Sequence, residues 1–265
     1  MKMLINTVLL FLQNALPIFI ITTLLLTSFS SKTINTLSAK WPIFGLMLTT
    51  IAAFILSTNL ENISQTVDGK GVELFLSFAH VLIYFFSIGL FILNNTDSDI
   101  LLKKQLAFII FFIISCVNGA HFIIYLTNYW AQAQQVESML IGIILGGGIC
   151  LSISILFYFL LKYADQNIYL KTSNYFLLFF ALGQLMHAIV LLQQVDILPS
   201  SQPVWDSGVF IAENSEIGQL LTVLFGYETT PSPLQLIIYV IAFIIPVMIS
   251  KLASIRLFMR GEKSC

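Results

Sequence analysis

Histidine, carboxamide and carboxylate side chains stand at helical spacing inside apolar stretches of this chain. In SCVNGAHFIIYL, Asn118 and His121 lie three residues apart, and in GVELFLSFAH, Glu73 precedes His80 by seven. A spacing of three, four or seven residues places side chains on one face of a helix. Neutral imidazole binds transition metals, and carboxylate or amide oxygens can complete such a site. These residue types and spacings predict a polar route or binding site inside an apolar protein.

All three histidines of the chain lie in apolar stretches, each beside other polar residues. Gln184 precedes His187 by three residues, and Gln13 is followed by Asn14 in FLQNALPIF. Polar groups inside a membrane are costly and face the protein interior. The same residue types also join helices by hydrogen bonds worth about 1 kcal/mol or less each, so packing is the alternative role for each of them. The candidate transport pathway comprises Gln13, Glu73, His80, Asn118, His121 and His187, with His121 and Glu73 as candidate metal ligands.

The composition places these residues in a membrane. Of 265 residues, 58% are hydrophobic and 9% are charged, and a mean hydropathy of +0.93 excludes the soluble globular classes. Seven segments are long and apolar enough to cross a hydrocarbon core of roughly 30 Å as helices. We predict an all-α membrane protein with one membrane domain over residues 1–265. Its seven transmembrane helices are expected at 4–28, 41–59, 72–94, 105–130, 138–163, 174–195 and 234–258.

Basic residues are distributed unevenly between alternate connections. Ten of the twelve lie in the first, third and fifth connections and the C-terminal tail or in the span ends next to them, and only Lys2 and Lys70 fall on the other side. Because basic residues concentrate on the cytoplasmic side, we expect the C-terminus in the cytoplasm and the N-terminus outside, in the inner or plasma membrane. The connection 196–233 then lies outside. It carries five acidic and no basic residues, and SEIGQLLTVLFGY predicts a short amphipathic helix at the membrane interface, ended by Gly226. The acidic bias favours attraction of cations, with an ordinary solvated loop as the alternative.

The first and fourth segments share a placement of amide side chains near mid-membrane. Gln13 and Asn14 stand in the first and Asn118 in the fourth, and Pro17 and Gly119 mark points where such helices can bend. Three crossings change sides, so a three-helix unit that is repeated once must be inverted in its second copy. We therefore predict two inverted three-helix repeats followed by a C-terminal helix. Many secondary transporters have this plan, with the substrate site at the repeat interface.

The C-terminal third carries a longer pattern, PVWDSGVFIAENSEIGQLLTVLFGYETTPSPLQLIIYVIAF, from Pro203 to Phe243. It resembles the closing region of the high-affinity iron permease family, which includes oxidase-coupled iron transporters and bacterial ferrous iron permeases. LLQQVDILP, before it, is similar to that family's ELQEAGLLP. The positions that match the family's WDTS, S…G..L and LFGY…PS.LQ…Y elements are Trp205, Asp206, Ser207, Gly218, Leu224 to Tyr227, Pro231, Ser232, Leu234, Gln235 and Tyr239. The resemblance implies a seven-span metal-ion permease.

The chain departs from the family where the family binds iron. That chemistry is attributed to glutamates of two REGLE motifs, one in the first span and one in the fourth. FLQNALPIF has Gln13 and Leu16 at the glutamate positions, and CVNGAHFII has Asn118 and His121. Carboxylates neutralise an iron ion as they strip its water, and amides and aliphatic side chains do not. The resemblance thus implies a divergent member, with Fe²⁺ or another divalent transition metal as substrate rather than hard Fe³⁺.

Two further classes of function stay open at this stage. One is a non-transporting pseudo-permease that serves as a membrane-embedded partner subunit of a larger complex. The other is a haem or quinone protein that uses two histidines as axial ligands. The expected partners are membrane lipid, a metal oxidase or periplasmic metal-handling protein, and further copies or subunits, with no nucleic acid. No nucleophile elbow, phosphate loop or metalloprotease pair occurs, so we expect no enzyme.

Overall fold

The computed structural model describes residues 2–28, 40–95, 99–130, 136–167, 171–213 and 215–261. Within these ranges the regular structure is helical and no strand is present. A 3₁₀ turn at Val67–Gly69 connects the second helix to the third. The α-helices are α1 Lys2–Ser28, α2 Lys40–Ser64, α3 Gly71–Asn94, α4 Ile100–Trp130, α5 Val136–Asn167, α6 Thr172–Gln194, α7 Glu216–Phe225 and α8 Pro233–Gly261.

Seven of these helices, α1 to α6 and α8, are long and apolar enough to cross a membrane. Lipid offers no partner for backbone N–H and C=O groups, so a crossing segment satisfies them internally as a helix. The predicted all-α membrane class is confirmed, and the chain is an integral membrane protein. The helices run past several predicted ends. For example, α4 begins at Ile100 and includes Lys103 and Lys104, because helical hydrogen bonding continues beyond the apolar part of a segment.

Helices α3 and α6 form an antiparallel pair that is bonded at both ends. At one end, Lys70 Nζ donates to the Val195 carbonyl at 2.8 Å. At the other, Asn174 Nδ2 donates to the Phe91 carbonyl at 3.1 Å, and Asn94 Nδ2 donates to Asn174 Oδ1 at 3.1 Å. We call the end of the bundle that carries residues 195–232 the loop face. The start of α3 and the end of α6 both lie on it.

The remaining contacts follow a regular pattern. Helix α1 packs against α5, α2 packs against α4, and α1 and α3 both contact α4. Tyr125 near the end of α4 donates from its hydroxyl to Thr7 Oγ1 near the start of α1, at 2.9 Å, so these two ends also lie on the loop face. In a three-helix repeat, α1 corresponds to α4 and α2 corresponds to α5. The contact of α1 with α5 then corresponds to the contact of α4 with α2. Two inverted repeats would give this pairing, and the repeat itself stays a prediction.

The short helix α7 enters the bundle from the loop face. Ser215 caps its start by accepting from Gly218 N at 3.0 Å, and Gly226 ends it with a φ of 68°. A Cβ added to Gly183 on α6 would lie 3.0 Å from Gly226 N, which shows how closely the two backbones pack. Gly183 is about 16 Å from the end of α6 at a rise of ~1.5 Å per residue. The C-terminal end of α7 therefore reaches about half-way through the span.

This depth differs from the interfacial position that the sequence pattern predicted for the helix. Val223 and Leu224 are buried in the main apolar core, together with Leu12 and Leu16 of α1. Phe225 contacts Phe179 of α6, with 5.3 Å between ring centroids. An amphipathic pattern states that one face of a helix is apolar, and it does not state whether lipid or protein covers that face. Here protein covers it.

Candidate functional site

His80 on α3 and Gln184 on α6 are joined by a hydrogen bond of 2.9 Å between Nδ1 and Oε1. A carboxamide oxygen only accepts, so Nδ1 of His80 carries the hydrogen and donates. In a neutral imidazole the other nitrogen, Nε2, then has a free lone pair. Gln184 is 3% exposed, so this bond forms away from competing solvent. Gln184 fixes both the orientation and the tautomer of His80.

His187 stands beside His80. Their ring centroids are 5.7 Å apart, with the ring planes tilted by 33°. His187 follows Gln184 by three residues on α6, so both point from the same face of that helix. His121 is on α4, which packs against α3. We call His80, His121 and His187 the histidine cluster, to which three helices each contribute one imidazole.

The three imidazoles lie at a common depth. His80 is about 13 Å from the start of α3, His121 about 13 Å from the end of α4, and His187 about 10 Å from the end of α6, at ~1.5 Å per residue. All three helix ends lie on the loop face. A hydrocarbon core is about 30 Å thick. The histidine cluster is therefore near the middle of the membrane.

Carboxylates of the 195–232 segment lie on the loop-face side of the cluster. Glu213 is close enough to His187 for a direct electrostatic interaction, and its Oε1 accepts from Thr229 N at 3.1 Å. Burial raises the pKa of Glu228, the Glu213 carboxyl raises it further, and a hydrogen bond with Gln235 lowers it. We call Glu213 and Glu228 the acidic mouth. It places negative charge where a cation from solvent would approach His187.

Glu73 is partly buried near the start of α3, about 10 Å from His80 along the helix at ~1.5 Å per residue. Its Oε2 is buried and has no hydrogen-bond partner in the described part of the chain. Ser77, between the two, donates to the Leu74 carbonyl of its own helix. Within the described residues, no group of three or more His, Cys, Asp or Glu side chains is placed to hold a metal ion. The assignment of His121 and Glu73 as metal ligands stays a prediction.

The structure separates two of the predicted pathway residues from the hydrogen bonds of the cluster. Asn118 Nδ2 donates to the Ile114 carbonyl of its own helix at 2.9 Å. Gln13 is exposed, and its neighbour Asn14 donates to the Leu10 carbonyl at 2.8 Å. A side-chain N–H that donates to the preceding turn of its own helix is then not available to a partner on another helix. His80 and His187 are brought together, and these amides are not joined to them by any hydrogen bond among the described residues.

Four residues that the structure singles out are absent from the candidate pathway that the sequence predicts. Gln184 shares a face with His187, which is a signal in the sequence, but its partner is on another helix. Glu213 and Glu228 belong to the acidic connection, and their position depends on the inward course of α7. Gln219 on α7 is 5% exposed, and both its amide atoms are buried without a hydrogen-bond partner in the described part. No sequence pattern marks it.

The arrangement places oxygen and nitrogen atoms that could act as ligands at different depths in the bundle. The acidic mouth offers carboxylates at the loop face, and His80 and His187 offer imidazoles deeper in the bundle. Imidazole suits divalent transition metals, and carboxylate suits harder ions.

In the comparisons with known proteins, no family model, curated protein or solved structure matches this chain.

Proposed function

We propose that this chain is a membrane permease for a divalent transition metal such as Fe²⁺, and a divergent relative of the high-affinity iron permeases. The observation that carries the proposal is the contact of His80 with Gln184 and His187 near mid-membrane. Ionisable groups at that depth are costly and are commonly retained for transport. Secondary transporters hold their substrates at this depth, between repeated units.

The order of charged and polar groups supports a cation as substrate. Glu213 and Glu228 come first from the loop face, and His187 and His80 lie deeper. Carboxylates at a mouth with low-dielectric walls raise the local concentration of cations. Imidazoles deeper in the bundle then select for transition metals over Ca²⁺ or Mg²⁺, which prefer oxygen ligands. Attraction and selection thus reside in different residues.

The resemblance to iron permeases supports the same function from the sequence. The stretch from Pro203 to Phe243 holds Glu213, α7, Glu228 and the start of α8, so it coincides with the segment that lies over the cluster. The distribution of basic residues predicts the loop face outside and the C-terminus in the cytoplasm. The acidic mouth then faces the outside, and import is the direction that we propose. A metal oxidase or periplasmic metal-handling protein would then deliver the ion at the loop face.

Flux of metal into liposomes tests the proposal. Purified protein is reconstituted into liposomes that contain a metal-sensitive dye, and Fe²⁺ is added anaerobically, with Ca²⁺ and Mg²⁺ in parallel. We expect Fe²⁺ flux that falls on the order of tenfold in His80→Ala, because a ligand is lost. Asn59→Ala is the matched control, since Asn59 is exposed and donates to the Ile55 carbonyl of its own helix. Absence of flux from correctly folded wild-type protein would overturn the proposal and favour the partner subunit of a larger complex.

A further inference from the structure

We infer that His80 and His187 form a two-imidazole site for a borderline or soft transition-metal ion, with Gln184 as its positioning residue. This inference rests on the proposed function and names the binding site within it. The resembling family is thought to bind iron through glutamates of its first and fourth spans, whereas this site uses neutral nitrogen ligands on α3 and α6. It also gives Gln184 a role in addition to joining α3 to α6.

The separation of the two rings fits one ion between them. A metal-bound imidazole nitrogen is about 2.0–2.1 Å from the ion, which puts the ring centroid about 3.2 Å from it. Two imidazoles on one ion then have centroids about 5.2 Å apart at a tetrahedral angle and about 6.4 Å apart at a linear one. The centroids of His80 and His187 are 5.7 Å apart. Their spacing falls inside this interval without any movement of the helices.

The bond from His80 to Gln184 prepares His80 as a ligand. Metal-binding histidines almost always donate their second ring nitrogen to a carbonyl or carboxylate, which fixes the ring and its tautomer. His80 Nδ1 donates to Gln184 Oε1 in this way, so Nε2 presents the lone pair. Because Gln184 is neutral, it orients the His80 ring without adding negative charge to the site.

The charge of the site determines which ions it accepts. Two neutral imidazoles provide no charge of their own, and Glu213 provides a carboxylate within electrostatic range of His187. Such a set can hold a divalent or monovalent transition metal, and it cannot compensate Fe³⁺ or replace the oxygen shell of Ca²⁺. Water can fill the remaining coordination positions of a transported ion. The expected class of ligand is thus Fe²⁺, Cu or Zn²⁺.

Copper(II) is a suitable probe, because pulsed electron paramagnetic resonance counts the imidazoles bound to it. The full-length protein is purified in detergent, its affinity tag is removed, and Cu²⁺ alone is added near neutral pH. We expect wild-type protein to bind Cu²⁺ through two imidazoles. His80→Gln and His187→Gln should each leave one imidazole and weaken binding on the order of tenfold or more. Asn59→Ala is the control and should retain both, because Asn59 is exposed and donates to the Ile55 carbonyl of its own helix.

Two variants of Gln184 test its positioning role. Gln184→Glu keeps an oxygen that accepts from His80 Nδ1, so it should retain the two-imidazole spectrum. Gln184→Leu removes that acceptor and should weaken Cu²⁺ binding about 10- to 100-fold. Circular dichroism and thermal unfolding verify that each variant is folded. If Gln184→Leu lowers stability but leaves the affinity and the spectrum unchanged, Gln184 only packs.

The outcomes separate this site from the proposed function. Two-imidazole binding without flux into liposomes would overturn the permease and leave the site standing. Flux that is retained while His80→Gln and His187→Gln keep the wild-type imidazole count would overturn the site and leave the permease standing. A wild-type spectrum without two imidazoles also overturns the site.

Discussion

His80 on α3 donates from Nδ1 to Oε1 of Gln184 on α6 across 2.9 Å, and this bond joins two antiparallel helices near their middle. The same helix pair is bonded at the loop face through Lys70 and at the other end through Asn174. Three points of attachment along one helix pair hold the imidazole in register with α6. The position of the His80 imidazole therefore depends on residues more than a helical turn away from it.

Asn174→Ala should lower stability without touching the histidine cluster. Asn174 is 2% exposed, donates to the Phe91 carbonyl and accepts from Asn94. Loss of buried hydrogen bonds of this kind costs about 1–3 kcal/mol. Thermal unfolding in detergent measures the change, with Asn59→Ala as an exposed control. Equal melting temperatures for the two variants would contradict the role of Asn174 in joining α3 to α6.

Gly226→Ala should displace α7 and reduce both stability and metal flux. Gly226 has a φ of 68°, and a Cβ there would lie 2.8 Å from the Gly183 Cα. The left-handed conformation alone costs a non-glycine residue roughly 1–2 kcal/mol. Gly148→Ala on α5 is the matched control, because nothing lies within 4 Å of an added Cβ there. A Gly226→Ala protein as stable as Gly148→Ala would show that α7 does not pack against α6 as described.

Glu228→Gln should change how stability depends on pH. Burial and the Glu213 carboxyl raise the pKa of Glu228 above its ordinary 4.5 in the folded chain. Between the two values the folded chain retains a proton that the unfolded chain has lost, so stability decreases as pH rises through this window. Glu228→Gln removes this decrease in stability. The free energy of unfolding of the variant, relative to wild type, should therefore be higher at neutral pH than at pH values below the window.

Melting temperatures of both proteins across this pH range provide the measurement. Glu213→Gln serves as the companion variant, since it removes the second cause of the raised pKa and should reduce the pH dependence only in part. Parallel curves for wild type and Glu228→Gln would contradict the raised pKa.

Gln219→Leu should raise stability. Both amide atoms of Gln219 are buried without a hydrogen-bond partner among the described residues. An unsatisfied buried polar group costs about 1–3 kcal/mol, and an apolar residue of similar size removes that cost. An increase in melting temperature, measured beside the exposed control Asn59→Ala, is the expected result. A decrease would show that Gln219 makes bonds that stabilise the folded protein.

The sequence is sufficient to predict the seven spans, and it is insufficient to predict how the helices contact one another. Long apolar runs must become helices in lipid, so Gly71–Asn94 and its counterparts follow from hydropathy alone. The polar faces of α3 and α6 were also readable, because His80 and His187 each stand at helical spacing from other polar residues. The helical period shows which residues share a face, and it does not show which faces meet.

The features of the site that the sequence does not predict are those that depend on tertiary contacts. The bond between His80 and Gln184 joins residues more than a hundred positions apart, and no local pattern records it. The depth of α7 depends on the close approach of Gly226 to Gly183, two glycines in separate elements. Gln13 and Asn118 were grouped with the histidines by residue type. The structure leaves Gln13 exposed and bonds Asn118 to its own helix.

The most direct test is Fe²⁺ flux into liposomes for wild type, His80→Gln, His187→Gln and the double variant. If both imidazoles bind one ion, each single change should reduce flux on the order of tenfold or more, and the double change should add little, because residues that act as one unit are not additive. Circular dichroism confirms equal folding. Wild-type flux retained in the double variant, or no flux in any of the four proteins, would contradict transport through the His80–His187 pair.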